Sequence, residues 1–501
     1  MSSLSKNYDQ QKLLGQVYTP RWVVEKILDD LGYNQTEQLG KTIIDPACGD
    51  GRFLCVVAER VLAWSPVEKR KENLEKIYGF DIDNQAVEAC IRNLNELVKN
   101  LNIAVNWNIQ HCNALEKISQ NDAPKFDFIV GNPPYIRIQH LSESERKWIQ
   151  TRYSFCKSGS TDAYIAFYEL CDFLLKEEGI CGLISPNSFF YSQTAAAMRA
   201  YFAQQKTLLQ ITNYADIQLF ENATTYCAIC IFGKKPQTHF LYQQAQTAQE
   251  LAQKTISFDQ IINQKIWQLG LNETQTVKGQ KLKDICDIHV GITTLCDKAY
   301  IFDLQDIENE LDTVEIETHF AGKISIEKAI LKPIIKASKL KTSADKISQY
   351  VLFPYEKVRN KHKIIPEEQL KTKFPLAYAY LCRIKIELDK RDNGQPNSVA
   401  WYAFGRSQGL DTSFGEKILF SPMNKNPNFI LIKNKETTFY SGYCIKYKGD
   451  NNFLLNQLNS SRMADFISVS SRDFRGGWKA YNKKALEDFI VENTGESLQL
   501  F

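Results

Sequence analysis

Through the first 235 residues of this 501-residue chain, short apolar runs alternate with segments whose apolar residues recur at helical spacing. No other feature limits the fold as much. A strand buried on both faces reads as a continuous apolar run and needs helices to cover it. Residues 41–47 (KTIIDPA), 76–82 (KIYGFDI), 105–111 (VNWNIQH), 126–131 (FDFIVG) and 180–186 (ICGLISP) predict five such strands, with two more near 208–215 and 224–232. Thr19 and Pro20 suit the cap and first position of a helix carrying Trp22, Val23, Ile27, Leu28 and Leu31. Asp83 or Asn84 caps a helix with Val87, Ile91, Leu94, Val98 and Leu101 on one face, and residues 161–179 read as a helix ended by Gly179. The expectation is an α/β domain over 1–240 with a mixed, mainly parallel seven-stranded sheet. Residues 241–279, rich in glutamine and without firm periodicity, read as a linker. Residues 280–501 mix short apolar runs, aromatics and basic loops, as expected of a second, α+β domain.

Charge is uneven between these parts. Residues 321–490 hold 30 Lys and Arg against 16 Asp and Glu, while the rest holds 31 against 42. A basic C-terminal region beside an acidic remainder points to a polyanion held by the second domain. No run approaches the roughly 18 apolar residues of a membrane span, and the N-terminus lacks a signal-like apolar core. An odd count of 13 cysteines, scattered through apolar segments, fits a reduced, cytoplasmic protein rather than a disulfide framework. The one C-x-x-C, Cys227 to Cys230, lies in a strand-like run without a second pair, so no metal is expected.

Chemistry-bearing residues gather where the strands end. After the first strand, Asp45 precedes Cys48-Gly49-Asp50-Gly51, glycines that let backbone approach a ligand beyond a parallel sheet's edge. The spacing is neither the dinucleotide fingerprint nor a phosphate loop. Asp45 is placed to bind an ammonium group, and Asp81, ending the second strand, to take both hydroxyls of a ribose. Asn113 follows the third strand, where an amide can meet an adenine edge. Asn132-Pro133-Pro134-Tyr135 ends the fourth. Two prolines stop the strand and leave carbonyls without following N–H groups, between an amide acceptor and an aromatic face. Such a turn can grip a planar exocyclic amine. Together the four strand ends fit S-adenosyl-L-methionine with its methyl group directed at Asn132.

Here the chain resembles the γ-class, TaqI-type DNA adenine-N6 methyltransferases. The resemblance rests on QVYTP (16–20), DPACGDGRFL (45–54), YGFDID (78–83), FDFIVGNPPYIR (126–137), EGICGLISPNSFF (178–190) and FENATTYCAICIFGK (220–234). It continues in GITTLCDKAYIF (291–302), EKAILKPIIKASKL (327–340), YVLFPYE (350–356), WYAFGRSQG (401–409) and RDFRGGWKAYNKKALE (472–487), which look like the family's target-recognition domain. It implies a Rossmann-like methyltransferase fold in which Thr19 and Asp45 hold the methionine end of the cofactor. Ala47 and Gly49 would line its site by backbone, with Asp81 on the ribose, Ile82 against the adenine and Asn113 at its edge. Asn132 and the Pro133 carbonyl would accept from the target amine, while Tyr135 stacks on the flipped base. The family usually has Asp where Asn113 stands, and a second aromatic against the base has only Phe190 and its neighbours as candidates. Arg406, Arg472 and Arg475 are the candidate DNA contacts. Double-stranded DNA is the expected substrate, with a separately encoded restriction endonuclease as partner and a monomeric, cytoplasmic enzyme. N4-cytosine methylation, RNA methylation and a non-catalytic specificity subunit stay open as alternatives.

Overall fold

The structure is a computed structural model that describes residues 19–118, 124–136, 141–157, 162–220, 225–271, 278–304, 311–471, 473–474 and 476–492. They form two compact units, Met1–Glu273 and Thr274–Phe501.

The first unit is built on one sheet. Its strands are β1 (Ile43–Asp45), β2 (Ile77–Asp81), β3 (Asn108–His111), β4 (Phe126–Gly131), β5 (Leu175–Pro186), β6 (Leu208–Asn213), β7 (Cys227–Phe232), β8 (His239–Ala245) and β9 (Leu251–Ser257). They lie in the order β3-β2-β1-β4-β5-β7-β6-β8-β9. Pairings from β3 to β5 are parallel, as is β6 with β8. Strand β7 runs antiparallel to β5 and β6, and β9 to β8. The sheet is therefore mixed, but it has nine strands where the sequence suggests seven. The added pair comes from residues 239–257, mostly inside the stretch read as a linker. On the edge strand β9 only Ile256 is buried, so it carries no apolar run to mark it.

Successive residues of a strand face opposite sides of the sheet. Ile43 joins a core with Val23, Leu54 and Leu94 from helices α1 (Arg21–Asp30), α2 (Arg52–Trp64) and α3 (Asn84–Val98). Ile44 joins another with Ile165 and Phe202 from α4 (Ala163–Leu174) and α5 (Ala196–Gln205). Two boundaries differ from expectation. Helix α4 stops at Leu174, because Leu175 already pairs with Phe126 and starts β5. Helix α1 is capped by Pro20 without a side-chain hydrogen bond, and Thr19 turns inward instead.

The second unit carries two four-stranded sheets. One orders Cys286–Val290, Tyr443–Tyr447, Lys417–Phe420 and Phe429–Ile432, all antiparallel. The other orders Ile301–Asp303, Gln349–Leu352, Leu331–Lys336 and Thr438–Tyr440. Tyr402 and Phe404 of the WYAFGR segment are buried in its core.

Candidate active site

The turn from β1 into α2 needs its glycines. Gly49 and Gly51 have φ of 51° and 88°, and a Cβ on Gly51 would lie 2.6 Å from Cys90 Sγ on α3. Gly49 N–H donates to Asp81 Oδ2 at 2.8 Å, and Asp83 N–H donates to Asp81 Oδ1 at 2.9 Å. The Asp81 carboxylate thus ties the ends of β1 and β2 together. Burial raises its pKa, opposed by these backbone hydrogen bonds.

Asp45 is 1% exposed and accepts from Ala47 N–H at 3.0 Å. Burial pushes its pKa up to about 8, with the negative charge of Asp81 adding to the shift and the Ala47 hydrogen bond opposing it. A Cβ on Gly131 would sit 2.7 Å from Asp45 Oδ1, so the end of β4 lies against this carboxylate. Ile82 is 59% exposed, an apolar side chain in the open directly after Asp81. Its carbonyl lies 2.9 Å from His111 Nε2 at the end of β3. Asn113 caps the one-turn helix Ala114–Lys117, with Oδ1 accepting from Leu115 N–H at 3.2 Å. The N–H groups of Ala47 and Gly49 are thus already engaged within the protein, as is the oxygen of Asn113.

At the end of β4, Asn132 Nδ2 donates to Thr19 Oγ1 at 3.1 Å. Pro133 is buried, while Pro134 and Tyr135 are half-buried. The Tyr135 hydroxyl lies inside, 3.4 Å from the Ile184 carbonyl and 3.8 Å from Cys227 Sγ, and its ring meets Tyr164 edge-on. Burial holds that hydroxyl well above its ordinary pKa, so it stays neutral. Anchoring the tip fixes the axis of the ring, and the edge-on contact with Tyr164 restricts its rotation about that axis.

Sequence reasoning singled out Thr19 and Asn132 separately and did not foresee that they touch. Nor did it single out Gly131, whose need shows only in its approach to Asp45. Both are contacts between segments far apart in the chain, with no local pattern to announce them. Phe190 is 6% exposed, packed 4.4 Å centroid to centroid from Phe189, and so belongs to the core rather than to an open pocket. Arg406 lies at the surface, paired with Asp392 at 2.8 Å. Arg472 and Arg475 lie outside the described residues.

Residues 75–220, which contain β2 through β6, match the model of the Eco57I restriction-modification methylase family. The match covers less than a third of the chain, and the relatives below share about a quarter of its residues, so the chain is similar to methyltransferases of restriction-modification systems. It is 24% identical to the Type II restriction enzyme and methyltransferase RM.Eco57I of Escherichia coli, over 93% of this chain and 56% of that protein. It is also 24% identical to the Type II methyltransferases M.BanIII of Aneurinibacillus aneurinilyticus and M.BstVI of Geobacillus stearothermophilus. Those alignments cover 84% and 95% of this chain, and 78% and 89% of the relatives. The chain therefore spans about half the length of the first relative and most of the other two. Among solved structures it resembles the Type IIL restriction-modification enzyme MmeI in complex with DNA, with a TM-score of 0.62 and 13% identity over 93% of this chain and 65% of that one. That likeness concerns the fold.

Proposed function

We propose that the chain transfers a methyl group from S-adenosylmethionine to N6 of an adenine flipped out of duplex DNA, as the modification enzyme of a restriction-modification system. One observation carries the reading: at the ends of β1, β2 and β4, a buried carboxylate, a backbone-held acid beside an open isoleucine and the Asn132–Tyr135 turn come together.

The residues fit the cofactor. Asp45 is an acid kept from ionising by burial, with no ion pair among the described residues, and an ammonium group would stabilise its charged form. Asp81, already rigid, would take the ribose hydroxyls, and the exposed face of Ile82 would cover the adenine. Ala47 and Gly49 would line the site by their carbonyls and α-carbons. With its oxygen capping a helix, Asn113 would offer its NH2 to a ring nitrogen of the adenine, which accounts for an amide where the family usually has an acid. When bound, the cofactor supplies a methyl group on a positively charged sulfur.

The protein's own part is positioning. A base inside a duplex must leave the stack, at a cost of a few kcal/mol. Stacking on the Tyr135 ring returns roughly 1–3 kcal/mol. The amide oxygen of Asn132 and the Pro133 carbonyl would accept the two amine hydrogens, which draws the nitrogen lone pair out of conjugation and aims it. Rate then comes from orientation and fixed dipoles. The neutral Tyr135 hydroxyl is not poised as a base, and none is needed beforehand, because the nitrogen can pass its proton to water once it is cationic. The second unit, with its surplus of basic residues, would hold and read the DNA, and a nuclease on a separate chain would complete the system.

The test is to incubate the purified protein with methyl-labelled S-adenosylmethionine and unmethylated duplex DNA, then analyse the nucleosides. Labelled N6-methyladenine is expected, with Asn132→Ala slowing its formation at least about 100-fold. Label on cytosine, label only on RNA, or an Asn132→Ala rate near wild type would overturn the reading.

A further inference from the structure

Thr19 sits beside the N-terminus of α1, where a threonine hydroxyl ordinarily accepts from the first-turn N–H groups. The cap is instead Pro20, with no side-chain hydrogen bond. Thr19 is 3% exposed and its Oγ1 accepts from Asn132 Nδ2 at 3.1 Å, across 113 residues of sequence. We propose that Thr19 is a positioning residue for methyl transfer, which holds the Asn132 amide with its oxygen turned toward the target amine. The proposal rests on the role given to Asn132 above.

The chemistry makes that orientation decisive. An exocyclic amine brings two N–H donors, so only the oxygen end of an amide can receive it. A reversed amide would set donors against donors. An asparagine's terminal torsion is broad and roughly two-fold, so the contacts of its nitrogen decide which orientation it holds. Thr19 gives the nitrogen a partner. A hydroxyl can also donate, so it enforces one orientation only while its own proton goes elsewhere. A carboxylate at the methionine end of the neighbouring cofactor site is an acceptor of that kind. Thr19 would in this way make Asn132 ready to receive the amine when the cofactor is in place.

Four variants separate this role from simple support. Thr19→Val keeps shape and removes the hydroxyl, Thr19→Ser keeps the hydroxyl, and both are compared with Asn132→Ala and with Thr19→Val/Asn132→Ala. Single-turnover methylation is measured at saturating cofactor and DNA, and S-adenosylhomocysteine affinity by calorimetry. Thr19→Val should slow methylation about 10- to 100-fold, the range expected for lost orientation. Its cofactor affinity should also fall, by about 10- to 150-fold, the cost of a lost hydrogen bond to a carboxylate, a loss of binding that saturating cofactor overcomes. Thr19→Ser should recover most of the rate. The double variant should be no slower than Asn132→Ala alone, since both changes remove one interaction.

A Thr19→Val rate near wild type overturns the proposal, as does a loss that extra cofactor restores. Multiplicative losses in the double variant do the same, because Thr19 would then act independently of Asn132. An Asn132→Ala enzyme with near wild-type rate would instead remove the reading beneath it, so the two failures are distinguishable.

Discussion

Two buried charges, one in each unit, are treated in opposite ways. In the first, the Asp45 carboxylate accepts one hydrogen bond among the described residues, from Ala47, and is pushed up to a pKa of about 8. In the second, the buried Arg391 guanidinium donates to the carbonyls of Leu388 at 2.8 Å, Ala403 at 2.7 Å, Trp401 at 2.7 Å and Thr294 at 3.3 Å. Lys417, fully buried, donates to the carbonyls of Gly415 and Thr437 at 3.0 and 2.6 Å. Arg391 carries a solvation shell made of backbone, which suits a structural part, while Lys417 has only two carbonyls and burial still opposes its charged form. Asp45 lacks such a shell, which suits a group that waits for a charged ligand. Burial alone does not mark a functional charge; how completely the fold already solvates it does.

Replacing Arg391 should show the largest effect. Arg391→Met strips a charged donor from at least three buried carbonyls, at about 1–3 kcal/mol each, so a loss on the order of 3–5 kcal/mol is expected in denaturant unfolding. A change below about 1 kcal/mol would mean that the carbonyl shell is incidental. Asp45→Asn should behave in reverse. Unfolding stability should hold or rise near neutral pH, because an acid that resists ionisation has been removed. S-adenosylmethionine affinity, measured by calorimetry, should fall by about 1.5–3 kcal/mol, as for a lost hydrogen bond to a charged group. If Asp45→Asn unfolds the protein and spares affinity, the contrast between Asp45 and Arg391 collapses.

The pH dependence sharpens the same contrast at a smaller scale. Asp45 has a folded pKa above its unfolded value, so its contribution to stability is complete below about pH 4 and is lost as pH rises through about 8. Lys417 has its pKa lowered to about 8 by burial and by Lys446, so its charged form opposes folding below that pH. Its contribution improves as pH rises from about 8 toward the ordinary lysine range near 10.5. Asp45→Asn should flatten the stability profile on the acidic side of pH 8, and Lys417→Met on the alkaline side. Because a cationic ligand needs Asp45 ionised, binding at pH 7 should release up to about one proton in wild type and less in Asp45→Asn. Buffers of different ionisation heat report that number directly.

Much of the first unit was legible in the sequence because its signals are local. Buried parallel strands carry apolar runs, Asp83 caps α3 with its side chain, and Gly51 occupies a left-handed position beside Cys90. The acids and the Asn132–Tyr135 turn stand at strand ends, where linear order alone brings them together. What was not legible is nonlocal or hidden by polarity. Edge strand β9 lacks an apolar run, Leu175 leaves the helix pattern only because Phe126 pairs with it, and Thr19 meets Asn132 across the fold. Phe190 looked available for a base because an aromatic pair beside a motif reads the same whether it faces a pocket or a core. In the second unit the strands are short, and Arg391 gives no sequence sign that its partners are four carbonyls.

Arg406 tests the comparison from the surface, where the smallest effect is expected. It donates to both carboxylate oxygens of Asp392, at 2.8 and 3.0 Å, and both residues are exposed. An arginine held this way is solvated by a partner that water or a phosphate can replace, unlike Arg391 with its fixed carbonyls. Arg406→Ala should leave unfolding unchanged, since exposed ion pairs contribute little. If Arg406 meets a DNA phosphate, the variant should weaken binding to all sequences alike. It should also reduce the slope of log affinity against log salt by about one. Asp392→Asn, which releases the arginine, should then tighten binding rather than weaken it. Equal salt slopes for wild type and Arg406→Ala would show that this arginine serves only its surface pair. The basic surplus of the second unit would then have to act through other residues.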